Sequence, residues 1–223
     1  MTKKERYSAF VAYFEKHAPT AETELSFSND YELLVAVILS AQCTDVRINA
    51  TTPALFAAYP TVQTLAKATF EELFPFIRSV SYPNNKTKHL LAMAQRVVSI
   101  YGGHIPQNTS DLETLQGVGR KTANVVVSVL YNQPKMAVDT HVFRVSNRLG
   151  LTKSTTPLQT ELQLVKLLPE HTIHMAHHWL ILHGRYVCIA RNPKCGVCPI
   201  TEMCATFTKA QKALAKKAAF VVN

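Results

Sequence analysis

The sequence predicts an all-α protein, and three observations carry this prediction. Apolar residues recur at helical spacing, capping sequences precede several apolar runs, and no segment alternates convincingly between apolar and polar residues. We therefore expect helices packed around a shared core, without a sheet.

The first half of the chain begins with two predicted helices. An amphipathic helix is predicted from four apolar residues at positions i, i+3, i+4 and i+7: Tyr7, Phe10, Val11 and Phe14. The segment 31–42 (YELLVAVILSAQ) is apolar on all sides. Its β-branched residues could suit a buried strand, but its length and the start at Asn29-x-x-Glu32 favour a buried helix.

Three further helices are predicted downstream. Ser110 and Glu113 have the spacing of a capping box ahead of a short helix. Another helix should begin with Thr156, Pro157 and Gln159 as N-cap, N1 and N3. It carries three apolar residues on one face: Leu158, Leu162 and Val165. A long helix is predicted from about Ile173 to Tyr186.

Composition narrows the function classes. The chain has 223 residues, is 47% hydrophobic and carries a formal net charge of +9, a surplus that favours a polyanion such as nucleic acid. The longest apolar run, 33–39, is far too short to span a bilayer, and the charged start is unlike a signal peptide. We expect a cytoplasmic protein, in which disulfides are disfavoured.

Two glycines separated by one residue, Gly117 and Gly119, lie between the predicted short helix and a second helix. Glycine permits a tight turn and the close approach of a partner, and the N–H groups at the start of a helix bind anions. The sequence thus predicts a helix-hairpin-helix in which Gly117, Val118 and Gly119 contact a DNA phosphate. A plain turn between packed helices is the alternative for the bare pattern.

Lys121 changes the balance between these interpretations. It falls in the first turn of the second helix, where the positive end of the helix dipole disfavours an ammonium and favours an amine nucleophile. A second phosphate-binding cation is the alternative, but Arg120 suits that role better because its charge is permanent.

Asp139 follows the apolar residues Ala137 and Val138 and precedes a helix-like run. This pattern predicts an N-cap, a position that also holds a carboxylate still and aims it. Lys121 and Asp139 are therefore a candidate nucleophile and its electrostatic or acid–base partner.

Four cysteines lie within 17 residues, at a spacing that predicts a metal centre: Cys188, Cys195, Cys198 and Cys204. Four thiolates ligate either zinc or an iron–sulfur cluster, and the spacing alone leaves both open. Arg191 and Lys194 fall in the first gap, which predicts a loop stiffened by the metal and directed at phosphates. Cys43 stands apart and is expected to be a buried core thiol.

Taken together, these motifs resemble the bacterial endonuclease III family over residues 5–206. The resemblance rests on the cysteine spacing and on four segments: 39–45 (LSAQCTD), 117–123 (GVGRKTA), 138–141 (VDTH) and 177–186 (HHWLILHGRY). It implies two helical domains that flank a DNA groove. A six-helix domain with the hairpin would cover 23–134, a cluster domain 1–22 and 135–206, and a loosely ordered basic tail 207–223.

The resemblance also implies a monomeric DNA-repair enzyme with a [4Fe–4S] cluster. Such an enzyme is a bifunctional DNA glycosylase and AP lyase that acts on double-stranded DNA containing oxidised pyrimidines or abasic sites. The residue matching Lys121 attacks C1′ of a flipped nucleotide, a Schiff base forms, and β-elimination cuts the strand with help from Asp139. Gln42 fills the gap in the duplex, and Tyr82 is the candidate wedge into the opposite strand.

Two departures from the family pattern are evident. Gln116 replaces a common proline before the first hairpin glycine, which should loosen the turn slightly. Ser81-Tyr82-Pro83 replaces a common glycine–hydrophobic–aromatic sequence, which bears on opposite-base preference and lesion range. The alternatives are a monofunctional mispair glycosylase, which generally lacks the lysine, and a non-catalytic helix-hairpin-helix protein, which needs neither Lys121 nor Asp139.

Overall fold

The computed structural model describes residues 1–221, and for 218–221 it describes the backbone alone. In this part of the chain all regular structure is helical, as predicted. The α-helices in chain order are α1 (Lys3–His17), α2 (Asp30–Ser40), α3 (Asp45–Ala58), α4 (Val62–Ala66), α5 (Phe70–Ile77), α6 (Pro83–Tyr101), α7 (Thr109–Leu112), α8 (Arg120–Tyr131), α9 (Thr140–Leu149), α10 (Pro157–Leu167), α11 (Ile173–Tyr186) and α12 (Ala205–Val221). Short 3₁₀ turns lie at Glu170–Thr172 and Cys195–Val197.

The chain divides into two compact units. One comprises Met1–Glu22 with Pro134–Asn223, and the other comprises Thr23–Gln133. Each unit has its own apolar core. None of the helices in the described part of the chain is long and apolar enough to cross a membrane.

Helix α2 forms the centre of the Thr23–Gln133 unit. Residues 33–39 are all buried, which confirms the interpretation of this segment as a buried helix rather than a strand. Asn29 caps it, since its side-chain oxygen accepts a hydrogen bond from the Glu32 N–H at 2.9 Å. Helices α3, α6 and α8 pack against α2, and α5 packs against α3 and α6.

The other unit joins the N-terminal helix to the C-terminal part of the chain. Trp179 of α11 is fully buried between Phe10 and Phe14 of α1, with ring centroids 5.9 and 5.6 Å apart. Its indole N–H donates to the Ala18 carbonyl oxygen at 2.8 Å. Helices α1 and α11 both agree with the sequence predictions.

Two local predictions need correction. The capping box at Ser110 is wrong, because α7 is capped two residues earlier: the Asn108 side chain accepts from the Asp111 N–H at 2.8 Å and donates to its carboxylate. The N-cap of α10 is Thr156, as predicted.

The three apolar residues lie on one face of α10, as predicted, and this face is exposed to solvent: Leu158, Leu162 and Val165. The buried face of α10 carries Thr160, Glu161 and Leu164 instead. The expected loose tail is helical as far as Val221, because alanine and lysine are strong helix formers.

Candidate functional site

The predicted hairpin is a tight turn in front of α8. The Val118 N–H donates to the Leu115 carbonyl oxygen at 3.1 Å, and Gly117 has φ +81°, in the left-handed region that favours glycine. Val118 is buried and anchors the turn in the core of its unit. A Cβ atom on Gly117 would lie only 3.0 Å from the His89 Cβ, so the turn packs closely against α6.

Helix α8 begins with an exposed N-terminus. Gly119 is its N-cap and supplies no side-chain cap. Arg120 and Lys121 are the first two helical residues, and both are exposed. Helix N–H groups beside two cationic side chains form a setting that favours an anion.

Asp139 is the N-cap of α9, as predicted. Its Oδ1 accepts a hydrogen bond from the Val142 N–H at 2.7 Å, which fixes the orientation of the carboxylate. The buried residues 136–138 precede it, and Asp139 itself stays half-exposed. Lys121 lies in the Thr23–Gln133 unit and Asp139 in the other unit.

Gln42 and Tyr82 lie at the ends of two loops in the same unit. Both are exposed, and both have a left-handed backbone, with φ of 57° and 56°. Non-glycine residues adopt this conformation rarely, and it persists only where neighbouring structure holds it. The two loops are joined through Ser81, whose hydroxyl donates to the Gln42 carbonyl oxygen at 2.7 Å.

Cys43 is half-exposed rather than a buried core thiol, because it takes part in this connection. Its Sγ accepts the Ser81 N–H at 3.1 Å. Burial acts to raise the pKa of the Cys43 thiol. The hydrogen bonds from Ser81 and the charges of Lys86 and Arg47 outweigh it, so that the pKa is lowered.

Sequence reasoning missed two cations that hold these loops. The buried Lys86 ammonium donates to the Leu39 and Ala41 carbonyl oxygens, both at 2.7 Å, and so satisfies the C-terminal end of α2. Arg47 donates to the Ser79 carbonyl oxygen at 2.7 Å. The only signal for Lys86 is its helical spacing of four residues from Tyr82.

The four clustered cysteines lie in the unit that contains α1 and α11. Three of them pack against its core, and Cys195 is exposed: the three are Cys188, Cys198 and Cys204. Burial raises the pKa of the Cys198 and Cys204 thiols, and the other clustered thiols raise it further. A positively charged metal centre offsets this penalty for the thiolate form.

Polar groups approach three of the four sulfurs. The Phe207 N–H and an Arg148 N–H approach the sulfurs of Cys204 and Cys188, both at 3.5 Å. His183 Nε2 lies 3.7 Å from Cys198 Sγ. Donors of this kind stabilise thiolates bound to a cluster, so the residues present fit an iron–sulfur centre.

The loop between Cys188 and Cys195 is exposed and basic. Arg191 and Lys194 both face solvent, and Asn192 between them has φ 53°. Sequence reasoning missed the α9 arginines that hold the start of this loop. Arg148 donates to the Ile189 and Ala190 carbonyl oxygens at 2.8 Å, and Arg144 donates to the Cys188 carbonyl oxygen at 3.2 Å.

Comparisons with known proteins agree with this arrangement. Residues 35–170 match the HhH-GPD superfamily of base excision DNA repair proteins, which defines the class of protein. Residues 188–204 match the iron–sulfur binding domain of endonuclease III.

Sequence relatives narrow the class. Endonuclease III of Rickettsia conorii is 48% identical over 86% of this chain and 91% of that protein. Endonuclease III of Escherichia coli K12 is 40% identical over 92% of this chain and 96% of that protein. The chain belongs to the endonuclease III family, and its cofactor is a [4Fe–4S] cluster.

Solved structures show the same fold. A trapped endonuclease III–DNA covalent intermediate superposes with a TM-score of 0.88 at 40% identity, covering 95% of this chain and all of that chain. A thermostable thymine-DNA glycosylase has a TM-score of 0.82 at 22% identity, covering 92% of this chain and 98% of that chain, a likeness of fold alone.

Proposed function

We propose that this chain is a bifunctional DNA glycosylase and AP lyase of base excision repair, with Lys121 as the nucleophile. The observation that carries the proposal is an exposed lysine in the first turn of a helix whose N-terminus has no side-chain cap and follows a Gly-x-Gly turn. A family relative has been trapped as a covalent intermediate with DNA, which supports amine chemistry. The proposed substrate is double-stranded DNA with an oxidised pyrimidine or an abasic site, bound by a monomer in the bacterial cytoplasm and nucleoid.

The proposed reaction begins when the damaged nucleotide leaves the base stack. The Lys121 amine forms a bond to C1′, and the N-glycosidic bond breaks with its electron pair leaving on the base, which takes up a proton. The C1′–O4′ bond then opens to give a Schiff base. Loss of a C2′ proton expels the 3′ phosphate, which cuts the strand, and water releases the lysine. Asp139 is proposed to stabilise the developing positive charge or to transfer protons.

The remaining residues are proposed to bind and position DNA. The N–H groups at Gly117–Gly119 and the Arg120 guanidinium hold a phosphate. Gln42 fills the space that the flipped nucleotide vacates, and Tyr82 is the wedge into the opposite strand. Cys188, Cys195, Cys198 and Cys204 are the proposed cluster ligands. The cluster, when bound, cross-links the segment 188–204, and Arg191 and Lys194 of that segment bind phosphates.

Borohydride trapping tests the proposal directly. Duplexes containing thymine glycol or an abasic site are incubated with the protein and reduced, and covalent adducts are counted on a denaturing gel. The wild-type chain should form an adduct with both substrates, and Lys121→Ala should form none. Lys67→Ala is the matched control, because Lys67 is an exposed lysine at the end of α4, outside the proposed site.

The same experiment distinguishes the alternatives. A monofunctional glycosylase would release the base from thymine glycol without any adduct. A non-catalytic DNA-binding protein would retard the duplex in a native gel and release no base. Either result, or an adduct of undiminished yield with Lys121→Ala, contradicts the proposal.

A further inference from the structure

The loops that carry Gln42 and Tyr82 are joined by one side chain. The Ser81 hydroxyl donates to the Gln42 carbonyl oxygen at 2.7 Å and lies 3.4 Å from the Cys43 sulfur. The Ser81 N–H donates to the same sulfur at 3.1 Å. We call this group of three residues, Ser81, Gln42 and Cys43, the loop clamp.

The bases of both loops are held independently of the loop clamp. Lys86 binds the end of α2 through the Leu39 and Ala41 carbonyl oxygens. Arg47 binds the Ser79 carbonyl oxygen, just ahead of the second loop. Removal of the Ser81 hydroxyl should therefore leave the loops attached to the unit and change only how Gln42 is held relative to Tyr82.

The backbone conformations of Gln42 and Tyr82 both require support from neighbouring residues. The left-handed backbone of Gln42 and Tyr82 is disfavoured for side chains of this kind, so each is kept in place by its neighbours. Ser81 contacts both, since it precedes Tyr82 in the chain and is hydrogen-bonded to Gln42.

We propose that Ser81 is a positioning residue that couples Gln42 to Tyr82, so that the two side chains enter the duplex as one unit and set the opposite-base preference. The inference rests on the proposed function, in which Gln42 and Tyr82 contact DNA. The Ser81 hydroxyl fixes the Gln42 carbonyl oxygen, and this limits the positions that the Gln42 side chain can reach. The base opposite the lesion is therefore met by a narrower set of donors and acceptors than a loop without this hydroxyl allows.

The test uses Ser81→Ala, Ser81→Thr and a matched control, Ser99→Ala. Ser99 is an exposed serine near the other end of α6 whose hydroxyl also bonds a backbone carbonyl oxygen. Single-turnover cleavage by the cluster-loaded protein is measured on thymine glycol opposite adenine, thymine glycol opposite guanine, and a single-stranded abasic oligonucleotide. The single strand has no opposite base and reports the lysine chemistry alone.

For Ser81→Ala, we expect the ratio of the duplex rate to the single-strand rate to fall about two- to tenfold, the effect of one or two lost hydrogen bonds. The two duplex rates should also move closer together. Ser81→Thr retains the hydroxyl and should recover most of both effects, and Ser99→Ala should match the wild type. Combined with Gln42→Ala, the Ser81→Ala change should add little, because both act through one residue.

The outcomes separate the two proposals. If the wild type forms no borohydride adduct, the proposed function fails, and this inference fails with it. If the wild type forms the adduct but Ser81→Ala keeps the duplex-to-single-strand ratio and the opposite-base preference, only the coupling role of Ser81 is overturned. Additive losses in the double variant overturn it as well.

Discussion

Replacing Gly117 by alanine should destabilise the unit that carries the hairpin. Two costs add at this position. The left-handed φ of +81° costs a residue with a Cβ about 1–2 kcal/mol. The new Cβ would also lie 3.0 Å from the His89 Cβ and 3.1 Å from its Nδ1, well inside the usual separation of non-bonded carbons. His89 cannot relieve this contact by changing rotamer, because its own Cβ is the nearest atom.

Two other glycines separate these costs. Gly102 also has a positive φ, +61°, but a Cβ there meets nothing within 4 Å, so Gly102→Ala measures the backbone cost alone. Gly119 has φ −100° and open space, but alanine is a poorer N-cap than glycine, so Gly119→Ala should cost about 0.5–1 kcal/mol. The close contact should therefore make Gly117→Ala less stable than Gly102→Ala by about 1–3 kcal/mol.

Calorimetric melting of the cluster-loaded proteins measures the difference. At about 2–4 °C per kcal/mol for a chain of this size, Gly117→Ala should melt roughly 2–12 °C below Gly102→Ala. Gly119→Ala should melt only about 1–4 °C below the wild type but bind duplex DNA more weakly, since its Cβ would occupy the approach of a phosphate. Equal melting of Gly117→Ala and Gly102→Ala would refute the packing argument for the hairpin.

Two further predictions concern Asp139 and His178. Asp139→Asn should keep the melting temperature, because asparagine caps a helix as well as aspartate, yet lower single-turnover cleavage of an abasic duplex by about a hundredfold. Asp139→Ala should lose the same activity and also about 1 kcal/mol of stability, and wild-type cleavage by Asp139→Asn would contradict the proposed role. For His178, burial, followed by the nearby His177 and His174, lowers the pKa to about 3 from an ordinary value of 6.5. Between pH 6.5 and 3, His178 is therefore protonated in the unfolded chain and neutral in the folded chain. The free energy of unfolding falls as the pH falls through this range. At pH 5 this amounts to about 2 kcal/mol, and His178→Gln should melt with a visibly flatter pH dependence between pH 7.5 and 5.

Local patterns predicted the elements whose stabilising contacts are close in sequence. Asn29, Asp139 and Thr156 were recognised as N-caps because each side chain bonds an N–H three residues later. The cysteines were recognised as a metal centre because all four ligands lie in one short segment. At Ser110 the same reasoning failed, since Asn108 also satisfies the rule and forms the actual cap.

Contacts between residues that are distant in the chain produce no comparable pattern in the sequence. Ser81 and Gln42 are 39 positions apart, and neither belongs to a periodic pattern. Periodicity also cannot predict that the apolar side of α10 is exposed. The spacing of residues defines a face of a helix, but it does not say whether another element covers that face. A buried lysine such as Lys86 runs against the usual burial preferences, and only the position of the α2 C-terminus explains it.

The organisation of the candidate DNA-binding loops follows from one side of α6. Tyr82, Lys86 and His89 are spaced i, i+4 and i+7, which places them on the same side of this helix, within about 10 Å along its axis. Tyr82 caps the helix and is the proposed wedge, Lys86 holds the loop of Gln42, and His89 packs against the hairpin at Gly117. Three segments far apart in sequence are thus positioned by a single rigid element. Their spacing depends on α6, whereas the conformation of Gln42 relative to Tyr82 depends on the residue at position 81. A change at that one position can therefore alter which opposite base is preferred while the hairpin and Lys121 stay where they are.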